Sequence, residues 1–316
     1  MTASSETPTG KPRFRDYSQP RYWLSWMVLS VFRLFGFLPQ WVVWYGGAAL
    51  GELAFHVHRT PTIKTNLALC FPRLSSSERR TLRRRYYHYV GRSFLGLGAA
   101  WHASKKRMQR LVSIKGREHL RAAQADMKCI LFLAPHFLPL EMGGMYLSFE
   151  LGNFVGFYRK PRNPLYHHAL RYYMSRFGGG LVERYDNLKP LLRAMREGKG
   201  IYYLPDQDPD RPEDNFVFAD FFGVPTATYT AFARLAKLEN TVVVPVFTRM
   251  LPKSMGYEIE YLPALEDFPS GDDVADAARV NQIIEQAVRE TPEQYLWSYR
   301  RFKTRPNGAP SPYGKK

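Results

Sequence analysis

From about residue 111 onward the chain alternates short apolar runs with longer amphipathic stretches, and this alternation limits the possible folds more than any other feature of the 316 residues. Runs at 111–114, 129–134, 153–158, 200–204 and 241–248 read as strands, because they are short and apolar without a helical polar stripe. The run at 129–134 contains no charge at all, as expected of a strand covered on both faces. Between or after these runs, the stretches 139–149, 164–177, 188–197, 228–238 and 273–290 read as helices. Strands alternating with helices predict an α/β fold with a mostly parallel central sheet flanked by helices. The run 255–262 supplies a candidate antiparallel edge strand. The length is enough for a full core, and neither an internal repeat nor a low-complexity linker divides the chain.

The N-terminal part is different. Residues 1–21 are polar and Pro-containing and read as a flexible tail, whereas 22–58 are apolar and rich in Trp and Tyr. A membrane span needs about 20 consecutive apolar residues. Arg33 and Pro39 cut this region into two segments, each too short to cross alone. No small-residue cleavage site follows the first segment, so a removed signal peptide is not expected. Basic residues flank both sides, Arg21 before and Arg59, Lys64 and Arg73 after, which places both ends on the cytoplasmic side. The expectation is a pair of membrane-associated helices in one leaflet, with anchors drawn from Tyr22, Trp23, Trp26, Trp41, Trp44 and Tyr45. An ordinary core helix pair is the competing reading. Residues 59–316 are left for an α/β catalytic domain.

Forty-five Lys and Arg against 28 Asp and Glu give a net charge of +17, which favours acidic partners. Ser75 and Glu78 have capping-box spacing before a long helix running toward Trp101, and its first turns carry Arg79, Arg80, Arg83, Arg84 and Arg85. A solvated face explains such a row, and so does a site for lipid phosphates or an acidic carrier. No nucleic-acid-binding signature accompanies the charge, so nucleic acid is not an expected partner. Cys70 and Cys129 both lie in apolar settings and read as small core residues.

The stretch Cys129-Ile-Leu-Phe-Leu-Ala-Pro-His136-Phe-Leu-Pro139-Leu-Glu141-Met-Gly-Gly places a histidine just past the carboxyl end of a buried strand, the edge where open α/β sheets bind ligands. On a continuous helix, positions five apart diverge by roughly 140°, so His136 and Glu141 cannot share a helix face. His136 therefore belongs in the strand-to-helix turn. Pro139 suits the first turn of a helix starting near Leu138, and Glu141 lies in that same turn, able to fold back toward the imidazole. A carboxylate that accepts from one ring nitrogen raises the basicity of the other, as a general base requires. A structural histidine beside a helix-start glutamate satisfies the same pattern.

Other motifs fail. Asp206, Asp208 and Asp210 begin like a calcium loop, but Arg211 and Val217 stand where glycine and glutamate are needed. Gly178-Gly-Gly180 has no Gly-Lys-Ser/Thr, so it is not a P-loop. His167 and His168 diverge on a helix, which argues against a shared metal, and no Gly-x-Ser-x-Gly elbow occurs.

Several ordered stretches together resemble the secondary (late) acyltransferases of lipid A, within the lysophospholipid acyltransferase superfamily. His136-x4-Glu141 followed by Met142-Gly143-Gly144 matches the family's His-x4-Asp/Glu motif. Asn66-Leu-Ala-Leu-Cys-Phe-Pro72, Tyr158-Arg159-Lys-Pro-Arg162-Asn163-Pro164, and Leu204-Pro-Asp206-Gln207-Asp208 with Phe216-Val217 and Phe221-Phe222-Gly223 are similar to three further blocks. The C-terminal Pro292-Glu-Gln-Tyr-Leu-Trp297-Ser-Tyr-Arg300-Arg301-Phe302-Lys303-Thr-Arg305-Pro306 is the most specific match. Asp210 departs from the pattern where relatives often carry glycine.

The resemblance implies a glycerol-phosphate-acyltransferase-like fold and transfer of a fatty acyl group from acyl carrier protein to a hydroxyl on an acyl chain of a Kdo-bearing lipid A precursor. It also implies the cytoplasmic face of a bacterial inner membrane with its anionic lipids, and neither cofactor nor metal. His136 and Glu141 become the catalytic candidates. Arg159, Arg162, Asn163, Asp206, Asp208, Arg300, Arg301 and Lys303 become candidates for substrate binding. Another lysophospholipid or glycolipid acceptor, or a non-catalytic protein binding anionic lipid, are the competing readings.

Overall fold

The computed structural model describes residues 10–58, 60–125, 129–183, 189–209 and 214–314. Two apolar helices come first, α1 (Trp23–Phe35) and α2 (Gln40–Val57), followed by α3 (Pro61–Cys70) and the long α4 (Ser76–His102). Then come α5 (Lys105–Leu111), β1 (Val112–Lys115), α6 (Arg117–Ala125), β2 (Cys129–Leu133), α7 (Leu140–Leu151), β3 (Phe154–Tyr158) and α8 (Pro164–Ser175). The remainder is β4 (Gly179–Glu183), α9 (Lys189–Arg196), β5 (Gly200–Tyr203), β6 (Phe216–Phe221), β7 (Val224–Tyr229), α10 (Ala231–Ala236), β8 (Thr241–Met250), β9 (Tyr257–Tyr261) and α11 (Asp273–Glu290).

Seven strands form one sheet in the order β1-β9-β8-β2-β5-β3-β4, parallel at every pairing except β8 with β9. The expected α/β architecture with a mostly parallel sheet is therefore present. β2 lies at the centre with all five residues buried. Cys129, Leu131 and Leu133 pack into the core on one face, and Ile130 and Phe132 into the core on the other, as strand pleating requires.

Two expectations need correction, and two further stretches gain detail. The 255–262 run is antiparallel but not an edge, since β1 pairs beyond it. The helix expected at 228–238 is confined to Ala231–Ala236, because Thr226 and Thr228 alternate in β7, which pairs with β6 as a separate hairpin. Gly179 and Gly180 open an edge strand, and a side chain at Gly179 would meet Ser148 Oγ at 2.5 Å. The segment expected to be a loose tail stays largely exposed over 10–21 but touches the body at points, His168 Nε2 lying 2.6 Å from the Gly10 carbonyl and Nδ1 3.1 Å from the Tyr17 hydroxyl; residues 1–9 lie outside the described residues.

The capping box is closed at both ends, with Glu78 N donating to Ser75 Oγ at 3.2 Å and Ser75 N to the Glu78 carboxylate at 2.7 Å. α4 then serves as the backing for α1 and α2. A Cβ on Gly51 would lie 2.1 Å from the Tyr87 carbonyl oxygen, and one on Gly91 2.1 Å from that of Gly47, so the α2–α4 seam is a contact of backbones. With their inner sides so placed, α1, α2 and the turn between them leave Trp23, Leu24, Met27, Leu34, Phe37, Trp41, Tyr45, Leu53 and Val57 exposed. Of the six aromatic anchor candidates, Trp23, Trp41 and Tyr45 face outward, whereas Tyr22 is buried. Among the described residues no helix is long and apolar enough to cross a membrane.

Candidate active site

β2 and β5 are parallel neighbours in register Leu133↔Tyr203. Three residues beyond that pair on each strand stand His136 and Asp206, so equal offsets from one register bring them together at the carboxyl edge of the sheet. The ladder extends into the turn through Ala134 N donating to the Tyr203 carbonyl at 2.9 Å. His136 N then donates to Asp206 Oδ2 at 2.9 Å, and the His136 ring Nδ1 lies 2.7 Å from Asp206 Oδ1. An ionised carboxylate only accepts, so Nδ1 carries the proton and Nε2 holds the free lone pair. Gln207 Nε2 lies 3.0 Å from that lone pair and donates into it.

The backbone of the turn is held by the C-terminal segment. Leu296 N donates to the His136 carbonyl at 3.0 Å, Leu138 N to the Gln294 carbonyl at 2.8 Å, and Phe137 bridges Tyr295 as an isolated antiparallel pair. Burial would raise the Asp206 carboxyl, but the charge of His136, the two His136 hydrogen bonds and the Tyr295 hydroxyl outweigh it and hold the group below the usual aspartate range. Tyr295 is pushed far up, first by burial and then by the Asp206 charge. Asp206 is therefore an anion, 3% exposed, beside an imidazole that keeps some access to solvent.

The turn forms as its sequence requires. Pro139 precedes α7, whose first residue is Leu140, and Glu141 lies in its first turn. The carboxylate on the ring is nevertheless Asp206 and not Glu141, because the β2–β5 register delivers Asp206 to Nδ1 while α7 turns Glu141 toward α4. Burial raises the Glu141 carboxyl, against its own backbone N–H and the nearby His136.

The other candidates divide into three groups. Arg159 and Arg162 are exposed in the loop after β3, at the same sheet edge as His136. Asn163 accepts from Tyr166 N at 3.0 Å as the cap of α8 and donates to Ser25 Oγ on α1 at 2.8 Å, which sets the arginine loop against the apolar helix pair. Asp208 is buried and occupied: Thr304 N and Thr304 Oγ1 both reach its carboxylate at 2.8 Å, and Tyr299 donates to its carbonyl at 3.1 Å. Burial raises its carboxyl despite these bonds.

Arg301, expected to hold substrate, is inside the protein at 3% exposure. Its guanidinium reaches the carbonyls of Gln207 (3.2 Å) and Ala227 (2.6 Å), Thr228 Oγ1 (3.2 Å) and Asn281 Oδ1 (3.3 Å), and so clamps the 206–208 loop to the β6–β7 hairpin and α11. Lys303 is exposed and Arg300 half-buried beside Tyr313. Asp210 lies outside the described residues. Among the described residues no cluster of His, Cys, Asp or Glu is arranged to hold a metal ion.

Gln207 and Tyr295 were not singled out from the sequence, although both fall inside stretches that carried the resemblance. Both matter through contacts to His136 or Asp206 that only the strand order creates.

A histidine with one nitrogen donated to a buried carboxylate and the other free to accept can take a proton from a hydroxyl, the equipment of a group-transfer enzyme acting on an alcohol. The family model for bacterial lipid A biosynthesis acyltransferases matches residues 11–304. The chain belongs to that family and is an acyltransferase. It is 35% identical to the lipid A biosynthesis lauroyltransferase of Escherichia coli (strain K12) over 96% of this chain and 100% of that one. It is also 32% identical to the palmitoleoyltransferase (95% and 97% covered) and 29% identical to the myristoyltransferase (96% and 95%) of the same organism. Among solved structures, the 1-acyl-sn-glycerophosphate acyltransferase PlsC of Thermotoga maritima matches 78% of this chain and 97% of its own at TM-score 0.36 and 16% identity, a likeness too distant to carry a residue correspondence.

Proposed function

We propose that this acyltransferase moves a fatty acyl chain from acyl carrier protein to a hydroxyl on an acyl chain of a Kdo-bearing lipid A precursor, with His136 as general base. The observation that carries the reading is the His136 Nδ1–Asp206 bond, which directs the basic lone pair of Nε2 outward at the sheet edge. An acceptor hydroxyl takes the place of the Gln207 amide at Nε2 and gives up its proton as its oxygen attacks the thioester carbonyl. Asp206 keeps the ring in the right tautomer and offsets the charge of the imidazolium. When the tetrahedral adduct collapses, the carbon–sulfur bond breaks, the proton on Nε2 passes to the leaving thiolate, and the ester remains. No covalent enzyme intermediate is needed.

The surroundings support an amphiphilic acceptor and an acidic donor. The exposed apolar faces of α1 and α2 suit the inner membrane from its cytoplasmic side, lying in the leaflet rather than crossing it. Arg159 and Arg162 sit where the sheet edge meets α1, in reach of anionic lipid or of acceptor phosphates, which guanidinium groups match as forks. Arg300 and Lys303 add to a net charge of +17 that suits the acidic carrier. Names of relatives that differ in acyl chain, lauroyl, myristoyl and palmitoleoyl, leave the chain length to experiment.

The test is transfer from acyl carrier protein to a lipid A precursor, followed by mass spectrometry. His136→Ala and Asp206→Asn are each expected to lower kcat by about 10²–10⁴ with KM for the donor little changed, the range for a positioned general base. Unaltered turnover in His136→Ala removes the base from the mechanism. Unaltered turnover in Asp206→Asn removes the orienting role.

A further inference from the structure

The loop between β3 and α8 carries three exposed cations, Arg159, Lys160 and Arg162, and both of its ends are tied down. On the entering side, the Tyr158 hydroxyl at the end of β3 lies 2.8 Å from His167 Nε2 on α8, with the two rings stacked at 5.6 Å. Strand and helix are thus joined across the loop. On the leaving side stands Asn163, the residue next to Arg162. Its Oδ1 accepts from Tyr166 N as the helix cap, which leaves its amide nitrogen to donate to Ser25 Oγ on α1 at 2.8 Å.

A second tie runs beside the first. His168 is buried, with Nε2 2.6 Å from the Gly10 carbonyl and Nδ1 3.1 Å from the Tyr17 hydroxyl. A carbonyl only accepts, so Nε2 carries the proton and Nδ1 accepts from Tyr17. The Tyr17 carbonyl in turn accepts from Trp26 Nε1 at 3.0 Å. Both ties therefore end on one turn of α1, at Ser25 and Trp26. Trp23, Leu24 and Met27 of the same stretch are exposed and apolar. One short piece of α1 thus presents an apolar surface to the outside and holds the arginine loop on its inner side.

We propose that Ser25 and Tyr17 are positioning residues: through Asn163 and His168 they hold the arginine loop at a fixed height beside α1, where Arg159 and Arg162 meet the phosphates of an amphiphile whose chains stay in the leaflet. This rests on the reading of those two arginines as acceptor ligands. A loop that swings presents its cations only part of the time, and the apparent affinity of a site falls with the fraction of molecules in the competent arrangement. The element proposed to lie in the leaflet is then also the one that sets where the cations stand. Asn163, which the family resemblance places among the substrate ligands, has both ends of its amide engaged in this attachment.

The experiment is steady-state transfer from acyl carrier protein to a lipid A precursor presented in vesicles. Ser25→Ala removes the partner of Asn163 without touching the α8 cap, and Tyr17→Phe removes the hydroxyl that His168 accepts from. Expected is an acceptor KM raised about three- to tenfold in Ser25→Ala and about ten- to a hundredfold in the double variant, the range for losing one and then two neutral hydrogen bonds. In both, kcat, donor KM and flotation with vesicles stay within about twofold. Ser25→Thr keeps a hydroxyl and restores the acceptor KM. Hydrogen exchange over 158–168 is faster in the double variant, with β2 and β5 unchanged. An unaltered acceptor KM in the double variant overturns the proposal. So does a rise matched by an equal loss of flotation, since α1 then acts as an anchor alone. Should the double variant not fold, the two single variants carry the test. Arg159→Ala with Arg162→Ala probes the underlying reading separately. A raised acceptor KM there with none in the double variant defeats the tie alone, and an unaltered one in the arginine variant defeats both.

Discussion

Around residues 206–208 the chain is held by buried hydrogen bonds, whereas along the α2–α4 seam it is held by glycines that let two backbones touch. Asp206, Asp208 and Arg301 are each at most 3% exposed, and each is attached to several partners from distant parts of the sequence. At the seam the inner positions are Gly47, Gly51 and Gly91, while the outer face of the same helices is apolar and open. A polar network fixes direction, because each bond has one good angle. A backbone contact fixes only distance and leaves the outer side chains free for another purpose. The proposed catalytic edge needs the former, and a face proposed to rest in a lipid leaflet needs the latter.

The largest effect separating the two regions belongs to Arg301. In Arg301→Leu the carbonyls of Gln207 and Ala227, the Thr228 hydroxyl and the Asn281 amide lose a shared donor in a dry interior. An unsatisfied buried acceptor costs roughly 1–3 kcal/mol, and local relaxation can hide some of the four, so about 3 kcal/mol is expected in denaturant unfolding. Because Gln207 adjoins His136, kcat falls as well. A variant that keeps both stability and turnover shows that the clamp is not what fixes the edge.

Next is the open face. Leu34 and Phe37 are 65% and 69% exposed, so Leu34→Asp with Phe37→Asp leaves folding stability nearly unchanged. Full burial of such side chains is worth about 1.5–3 kcal/mol each, and partial insertion of two predicts roughly a hundredfold weaker partition onto anionic vesicles in a flotation assay. Equal partition by wild type and variant removes this face from the membrane contact.

The comparison also explains what the sequence made legible. β2 was readable because a strand covered on both faces has no polar position at all, and the His136 turn was readable because Pro139 limits where a helix can begin. The role of Asp206 depends on β5 lying beside β2, a choice among strands of similar composition that no local pattern records. The β6–β7 hairpin was missed for a different reason. Its turn residues Phe222 and Gly223 both have left-handed backbones, φ 56° and 72°, and phenylalanine is not a residue that signals such a turn. Arg301 was assigned to substrate because an arginine in a basic run resembles its neighbours Arg300 and Lys303, and only packing separates the buried one from the half-buried Arg300 and the exposed Lys303.

The smallest effect lies at the far end of the glycine seam, where polar contacts do reinforce it. Glu52 on α2 meets Arg84 and His88 on α4, each at 2.7 Å, and His56 at 3.1 Å. Hydrogen bonds from Arg84 first and His88 second bring its carboxyl from 4.5 down to about 2. A depressed carboxyl stabilises the folded state above its unfolded pKa and loses that contribution as pH falls through the folded one. The gap in thermal midpoint between wild type and Glu52→Gln is therefore expected to be full above pH 5 and to close between about pH 4.5 and 2. The group is open to solvent, so screening keeps the gap small and high salt narrows it further. A gap that persists unchanged to pH 2 means that Glu52 holds the seam by packing, and then even this end of α2 is attached by shape alone.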